Sequence, residues 1–330
     1  MAATRLWNGT FPLEPVADRA ICQDCLTAQQ ARADAKRVIE RERAAAASQR
    51  KVESASAWLR ASLNASEPDA SPTSYQAVGL LALAEILLHG ELASFGPLKS
   101  LSYTITSFTS SDIELFREMF QARWIAATTP ATVECFTYDE DDQAITMYID
   151  AVCWTFPRWF GLTSREAAVT AAKVLRNQLA DQIDAIIEIV QQLEANMAVG
   201  YLDGLLTGHY GELPIPEHRL PDAYEYALKA LRNGYALEQV VSMAWSAAAA
   251  SVAWGQRTAG LKPGAVSSAS VTNLGRHIRF TNNRPVPHCD ILNSVPRPAM
   301  YGTAIRFLSE RQEAHASLAN FRAVYRTEKF

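Results

Sequence analysis

The chain has 330 residues, of which 48% are hydrophobic and 20% are charged, the composition of a globular protein that buries a sizeable core. The first twenty residues lack the apolar stretch of a secretory signal, and the longest apolar runs, at 77–88 and 243–254, are shorter than the roughly 20 residues that cross a bilayer. Five cysteines, an odd number, argue against a disulfide framework and favour a reducing compartment. We therefore expect a cytoplasmic protein of bacterial type, with no membrane partner.

Charge is distributed unevenly along the chain. Residues 1–65 carry 10 basic and 7 acidic side chains, residues 66–255 carry 10 and 24, and residues 256–330 carry 11 and 4. A basic end joined to an acidic middle predicts that the end contacts a polyanion, or that the two regions pair with each other within an assembly.

From Cys22 to Leu63 the sequence holds no glycine and no proline and is rich in strong helix formers. We predict one helix of about 40 residues, roughly 60 Å long, within an N-terminal arm over residues 1–66. Half of the apolar residues at its heptad positions are alanine, which buries little area at a coiled-coil interface. The helix is therefore either solvated and packed only at its C-terminal end, or bound to a partner helix or a second copy.

Residues 67–160 have the order of a winged-helix-like module, two helices followed by a hairpin. A linker rich in proline and serine opens this segment, and Ser111 with Glu114 forms a capping-box pattern at the start of the second helix. The predicted elements are helices at 75–88 and 111–123 and a hairpin of two β-rich runs at 132–138 and 144–154.

The predicted hairpin turn is acidic, with four consecutive carboxylates at residues 139–142. A wing that grips DNA usually carries lysine or arginine, and carboxylates repel phosphate. We interpret the turn as solvated and expect this module to contact protein rather than DNA.

Residues 161–330 are predicted to form an all-helical domain with a basic C-terminal part. Thr163 and Glu166 form a capping box that opens a long helical stretch, in which Gly200 and Gly204 are the expected interruptions. The fold class that we predict is mainly α, with a long N-terminal helix, a winged-helix-like α+β middle module with a β-hairpin, and the helical C-terminal domain. Further helices are predicted at 222–232, 237–254, 266–281, 300–310 and 313–325.

Two tryptophans, Trp245 and Trp254, bracket a run of alanine and serine in one of these helices. Small residues let another helix approach closely, and tryptophans fill larger space at each end. We interpret this helix as part of the core, with an interface helix as the alternative.

This order of parts resembles a loosely defined set of uncharacterised bacterial proteins. Those proteins have a cysteine pair near the N-terminus, a charged helix, a winged-helix-like middle and a helical C-terminal half. The resemblance is carried by the segments Ser111–Trp154 and Leu237–Pro298, about a third of the chain. It implies this architecture and no particular activity.

Cys22 and Cys25 have the spacing of half a structural zinc site. Four ligands are needed and no second pair lies nearby, so the other ligands would be distant. The alternative is that the two cysteines are small apolar residues at a helix start. We expect no other cofactor.

The C-terminal part holds the better candidate for a nucleic-acid interface. Arginines outnumber acids there, and Arg276 and Arg279 are one helical turn apart. The guanidinium group donates two parallel hydrogen bonds to phosphate, and Phe280 adds a stacking surface. The alternative is that these arginines pair with the acidic middle of the chain. The predicted contact residues are Arg276, Arg279, Arg284, Arg297, Arg306, Asn282 and Asn283.

No catalytic motif is present: the sequence has no glycine-rich phosphate loop, no GxSxG and no HExxH. We expect a non-enzymatic, nucleic-acid-associated accessory or regulatory protein of a mobile element or defence system, which binds DNA or RNA and meets a partner protein through its long N-terminal helix. One alternative is a protein-interaction scaffold or homo-oligomer whose acidic and basic regions pair. Another is an enzyme whose site is assembled from residues distant in sequence.

Overall fold

The computed structural model describes residues 13–16, 19–128, 132–280 and 297–311. Within these residues the chain is mainly helical, as predicted, and none of the helices there combines the length and the apolar character needed to cross a membrane. The helices are α1 (Gln23–Leu63), α2 (Ser74–His89), α3 (Thr109–Gln121), α4 (Ser164–Leu179), α5 (Ile183–Gly204), α6 (Leu220–Arg232), α7 (Leu237–Gly255), α8 (Ala265–Phe280) and α9 (Ala299–Ser309). The strands are β1 (Leu13–Val16), β2 (Arg19–Cys22), β3 (Ala126–Thr128), β4 (Phe136–Tyr138), β5 (Ala144–Met147) and β6 (Cys153–Thr155).

The capping box predicted at Thr163 is confirmed. The Thr163 hydroxyl accepts the backbone N–H of Glu166 at 3.2 Å, and the Glu166 carboxylate accepts the backbone N–H of Thr163 at 3.1 Å. Without these two acceptors, both backbone N–H groups would lack a partner at the helix start. Helix α4 therefore begins directly after this threonine.

The capping box predicted at Ser111 is wrong. Helix α3 begins two residues earlier, with Phe108 as its N-cap and no side-chain cap. Its first-turn carboxylate, Asp112, turns back instead and accepts hydrogen bonds from the backbone N–H groups of Ile105 and Thr106 and from the Thr106 hydroxyl. Burial raises the pKa of Asp112, and these hydrogen bonds partly oppose that rise. The capping-box pattern at Ser111 gave no indication of these hydrogen bonds to Asp112.

The interruption expected at Gly200 is also wrong, whereas the one expected at Gly204 is confirmed as the end of α5. The helical stretch breaks earlier as well, at residues 180–182, where Gln182 has a non-helical backbone. Gly200 lies inside α5, and Gly204 is its last residue. Glycine costs only about 1 kcal/mol in a helix interior, and the extensive burial of α5 outweighs that cost.

The chain divides into two compact units. The first takes its described residues from 1–58 and 132–147, and the second from 59–131 and 148–330. These boundaries come from spatial proximity. The three-part division at 66/67 and 160/161, which came from composition, stays a prediction.

The first unit combines most of α1 with the hairpin of β4 and β5. The two strands are antiparallel, and the ring of Trp58 in α1 meets Phe136 of β4 edge-on, with 5.6 Å between ring centroids. The Ser54 hydroxyl accepts the backbone N–H of Ala144 at 2.8 Å. The hairpin that sequence places after α2 and α3 therefore groups with α1, because α1 supplies its packing and hydrogen-bond partners.

The second predicted β-rich run divides between two sheets. Only its first part, as β5, pairs with β4. Its end, β6, pairs antiparallel with β3, a strand that the sequence did not predict. Trp154 of β6 is fully buried and contacts Phe116 and Phe120 edge-on, so this small sheet is part of the core of the second unit.

Helices form the rest of the second unit. Helix α2 is buried from Ala77 through Glu85 and packs on α4, α5 and α9. A second apolar cluster joins the inner faces of α5, α6, α7 and α8. Helix α9 is attached at its start by backbone hydrogen bonds from Ala299 and Met300 to the carbonyls of Thr104 and Ile105.

The tryptophans of α7 differ from the prediction. Trp245 is 43% exposed and Trp254 is 39% exposed, and the alanines that face α8 and α5 form the packed side instead. One side of α7 lies in the core, while its two tryptophans are partly exposed to solvent. The predicted core role thus holds for Ala247 and Ala248 and fails for the two indoles.

Candidate nucleic-acid interface

Helix α8 positions the two central arginines of the predicted interface. It follows Gly264, whose positive φ of 77° is strained for residues with a side chain. Buried side chains recur along one face of α8 and pack on α7 and α6, which leaves the opposite face in solvent. The buried residues are Val266, Ser267, Ser270, Val271, Leu274 and Ile278.

A close approach of α6 fixes the rotation of α8. The ring of Tyr226 lies 2.7 Å from the position that a Cβ on Gly275 would occupy. A side chain at this position would displace the tyrosine ring, so glycine permits the contact. With Gly275 turned toward α6, Arg276 next to it points outward.

The exposed face of α8 carries Thr272, Arg276, Arg279 and Phe280. Arg276 makes one long hydrogen bond, from Nη1 to the side-chain oxygen of Asn273 at 3.4 Å. Within the described part of the chain, neither Arg276 nor Arg279 forms an ion pair with a carboxylate. Both guanidinium groups therefore keep donors that an incoming phosphate could accept.

Arg219 joins this face, although sequence reasoning missed it. It precedes α6, and its Nη2 donates to the Thr272 hydroxyl at 3.1 Å, one turn of α8 before Arg276. Its Nη1 lies 3.4 Å from the carboxylate of Asp222, so part of its charge is balanced. No local pattern connects residue 219 with residue 272, because only the packing of α6 on α8 brings them together.

The helix macrodipole places partial negative charge near the end of α8. Arginines in the last turn are favourable there, and they also offset the repulsion that a phosphate would meet at bare carbonyl groups. Phosphate contacts at this end must therefore come from side chains such as Arg276 and Arg279.

Arg306 has a different environment from the arginines of α8. Its Nη2 lies 2.9 Å from the carboxylate of Glu85, a residue of α2 whose side chain is only 8% exposed. The same carboxylate accepts a hydrogen bond from Arg176 of α4 at 2.8 Å and one from the Thr303 hydroxyl at 2.7 Å. Arg176 also pairs with Glu310. We call this group the Glu85 cluster, and within it Arg306 is paired with the acidic middle of the chain, as the alternative interpretation expected.

The other predicted contact residues are placed as follows. Arg297 is exposed just before α9. Arg284, Asn282 and Asn283 lie outside the described residues. Arg311, a further arginine of this region, donates to the carbonyl of Ala180 at 2.8 Å and lies over the ring of Phe307.

The predicted zinc pair lies at the junction of β2 and α1. Cys22 is the last residue of β2, and its side chain is not among the described ones. Cys25 is exposed in the first turn of α1. Among the residues that the structure describes, no three histidine, cysteine, aspartate or glutamate side chains group together as a metal site. The zinc site stays a prediction.

The acidic hairpin turn is locally ordered. The Asp139 carboxylate accepts the backbone N–H groups of Asp141 at 3.0 Å and Gln143 at 2.8 Å, a turn typical of aspartate. Asp142 pairs with Arg50 and Lys51 of α1, and the hydrogen bond from Arg50 is the main cause that lowers the pKa of Asp142. The negative charge of one of the four carboxylates is therefore balanced by basic side chains of α1.

Comparisons of the chain with protein-family models, curated proteins and solved structures find no match. The functional assignment consequently depends on the residues described above.

Proposed function

We propose that this protein binds the phosphate backbone of nucleic acid through the exposed face of α8, as a non-enzymatic accessory or regulatory protein. Arg276 and Arg279 supply the main contacts, and Arg297 adds charge from a separate element. The observation that carries the proposal is the contrast between two kinds of arginine. Arg306 is paired with a buried carboxylate, whereas Arg276 and Arg279 are exposed and have no such pair among the described residues.

The chemistry of the face suits phosphate as a ligand. Two planar guanidinium groups on adjacent turns can each donate parallel hydrogen bonds to phosphate oxygens. Contacts of this kind position a protein on nucleic acid and carry no sequence information by themselves. We therefore expect binding that depends strongly on salt and weakly on sequence.

The test is a binding titration of the full chain against labelled DNA and RNA over a range of salt concentrations. Each phosphate contact contributes roughly 0.9 to the slope of log affinity against log salt on duplex DNA. The variant R276A/R279A should weaken binding and reduce that slope by about two.

A matched control separates a local contact from a general loss of charge. Arg165 and Lys173 are exposed on α4, so R165A/K173A removes the same charge elsewhere in the second unit. The control should keep most of the wild-type slope. Binding by R276A/R279A that equals the wild type, or an equal loss in both variants, contradicts the proposal.

A second candidate function, a protein-interaction scaffold, is favoured by α1. Each described side chain from residue 27 to residue 46 of this helix is exposed, including Val38 at 50% and Ile39 at 49%. Contiguous exposed apolar surface marks sites that another protein covers, and Val38 and Ile39 are adjacent. This candidate does not exclude the first, since α1 and α8 are different surfaces.

A further inference from the structure

Phe280 is the last residue of α8 and its side chain is 71% exposed. At 100° per residue, Arg276, Arg279 and Phe280 fall within about 100° of the helix circumference. An aromatic ring therefore shares the exposed face of α8 with two guanidinium groups near the end of the helix. Phosphate contacts alone do not explain an aromatic side chain in this position.

An exposed aromatic ring can stack on the bases of single-stranded nucleic acid more readily than on those of a duplex. In a duplex the base faces are stacked on one another, and a side chain on the outside meets phosphate and sugar. In a single strand the bases are free, and a protein aromatic ring can stack on any of them. Arginines next to the ring can hold the phosphates on either side of the stacked base.

We propose that the C-terminal end of α8 binds single-stranded nucleic acid, with Phe280 stacked on one base and Arg276 and Arg279 on the neighbouring phosphates. This inference rests on the proposed function of the same face and specifies its ligand. It assigns Phe280 a contact with the base and the arginines a contact with the backbone.

The experiment compares binding of the full chain to an oligo(dT) single strand, to an oligo(rU) single strand and to a mixed-sequence DNA duplex of equal length. The variant F280A should weaken binding to both single strands by about 5- to 100-fold, which corresponds to roughly 1 to 3 kcal/mol, and should change duplex binding less than about twofold. F280W should retain single-strand binding, and its added indole fluorescence should be quenched when oligo(dT) stacks on it.

Two further variants control for loss of apolar surface. Leu162 precedes α4 and is 85% exposed, so L162A removes an exposed apolar side chain elsewhere and should bind like the wild type. F280L keeps an apolar side chain without an aromatic face and should lose single-strand affinity nearly as F280A does.

The outcomes distinguish this inference from the function on which it rests. If F280A leaves single-strand binding unchanged, or weakens duplex and single strands alike, the stacking role is overturned while the effect of R276A/R279A still tests the phosphate contacts. If the wild type binds none of the three probes, both proposals fail. A loss confined to single strands supports the inference.

Discussion

Arg276 and Arg306 are the same residue type in the same basic part of the chain, yet they have different surroundings. The Arg306 guanidinium belongs to the Glu85 cluster and stabilises the attachment of α9 to α2. The Arg276 guanidinium contacts only a neighbouring amide among the described residues. A buried carboxylate without its cationic partners is costly, so we expect the pairing at Glu85 to contribute to stability.

This difference predicts effects of different size for two alanine substitutions on stability. R306A should lower the free energy of unfolding by about 1 to 2 kcal/mol, because Glu85 then keeps only Arg176 and Thr303 as partners. R276A should change it by less than about 0.5 kcal/mol, since the side chain is exposed. Urea denaturation of both variants measures the difference. Equal stability of R306A and the wild type would show that the Glu85 cluster contributes little.

Side-chain capping marks the start of some helices and not of others. Helices α2 and α4 both open with a threonine that accepts a backbone N–H, paired with a glutamine or glutamate that returns the hydrogen bond. Helix α3 opens without such a cap, and its first-turn Asp112 instead accepts hydrogen bonds from Ile105 and Thr106. The helix starts therefore differ in whether a side-chain cap is present.

A pair of substitutions tests this distinction at the level of the element. T163A removes the acceptor for the Glu166 N–H and should cost about 1 kcal/mol of stability. S111A serves as the matched control, because Ser111 lies inside the first turn of α3 and is not its cap. Its effect should be within about 0.5 kcal/mol of zero. A larger loss for S111A than for T163A in thermal unfolding would contradict this account of the two helix starts.

Across the whole molecule, the acidic and basic regions are partly matched within each unit. In the first unit Asp142 meets Arg50 and Lys51, and in the second Glu85 meets Arg176 and Arg306. Within the acidic middle itself, Glu188 pairs with Arg232, and this hydrogen bond lowers the pKa of Glu188. Internal pairing therefore involves some carboxylates of the middle region and leaves the arginines of α8 exposed.

The exposure of α1 gives a prediction for the behaviour of the whole protein in solution. If α1 binds a second copy through Val38 and Ile39, the sedimentation coefficient should rise with protein concentration, and V38K/I39K should abolish that rise. Val169 and Val174 of α4 are similarly exposed, so V169K/V174K is a control with the same chemical change, and it should behave as the wild type does. A wild-type protein that remains monomeric at every concentration excludes self-association through α1.

Local sequence determined most of the helices. The bounds of α1 and α7 agree with the prediction to within a residue or so, because helix propensity and the absence of glycine and proline act over a few neighbouring residues. The start of α4 was equally readable, since both partners of its capping box lie within four residues. The acidic turn between β4 and β5 was visible for the same reason.

Tertiary structure alone decided which charged and aromatic side chains remain accessible. Arg306 and Glu85 are separated by 221 positions, and Arg219 and Thr272 by 53, so no local pattern could assign their contacts. The pairing of β3 with β6 and the exposure of Trp245 and Trp254 likewise follow from which helix or strand packs alongside. Sequence supplied the arginines and the helix that carries them. Packing selected the exposed ones, because burial and ion pairing depend on neighbours in space and not on neighbours along the chain.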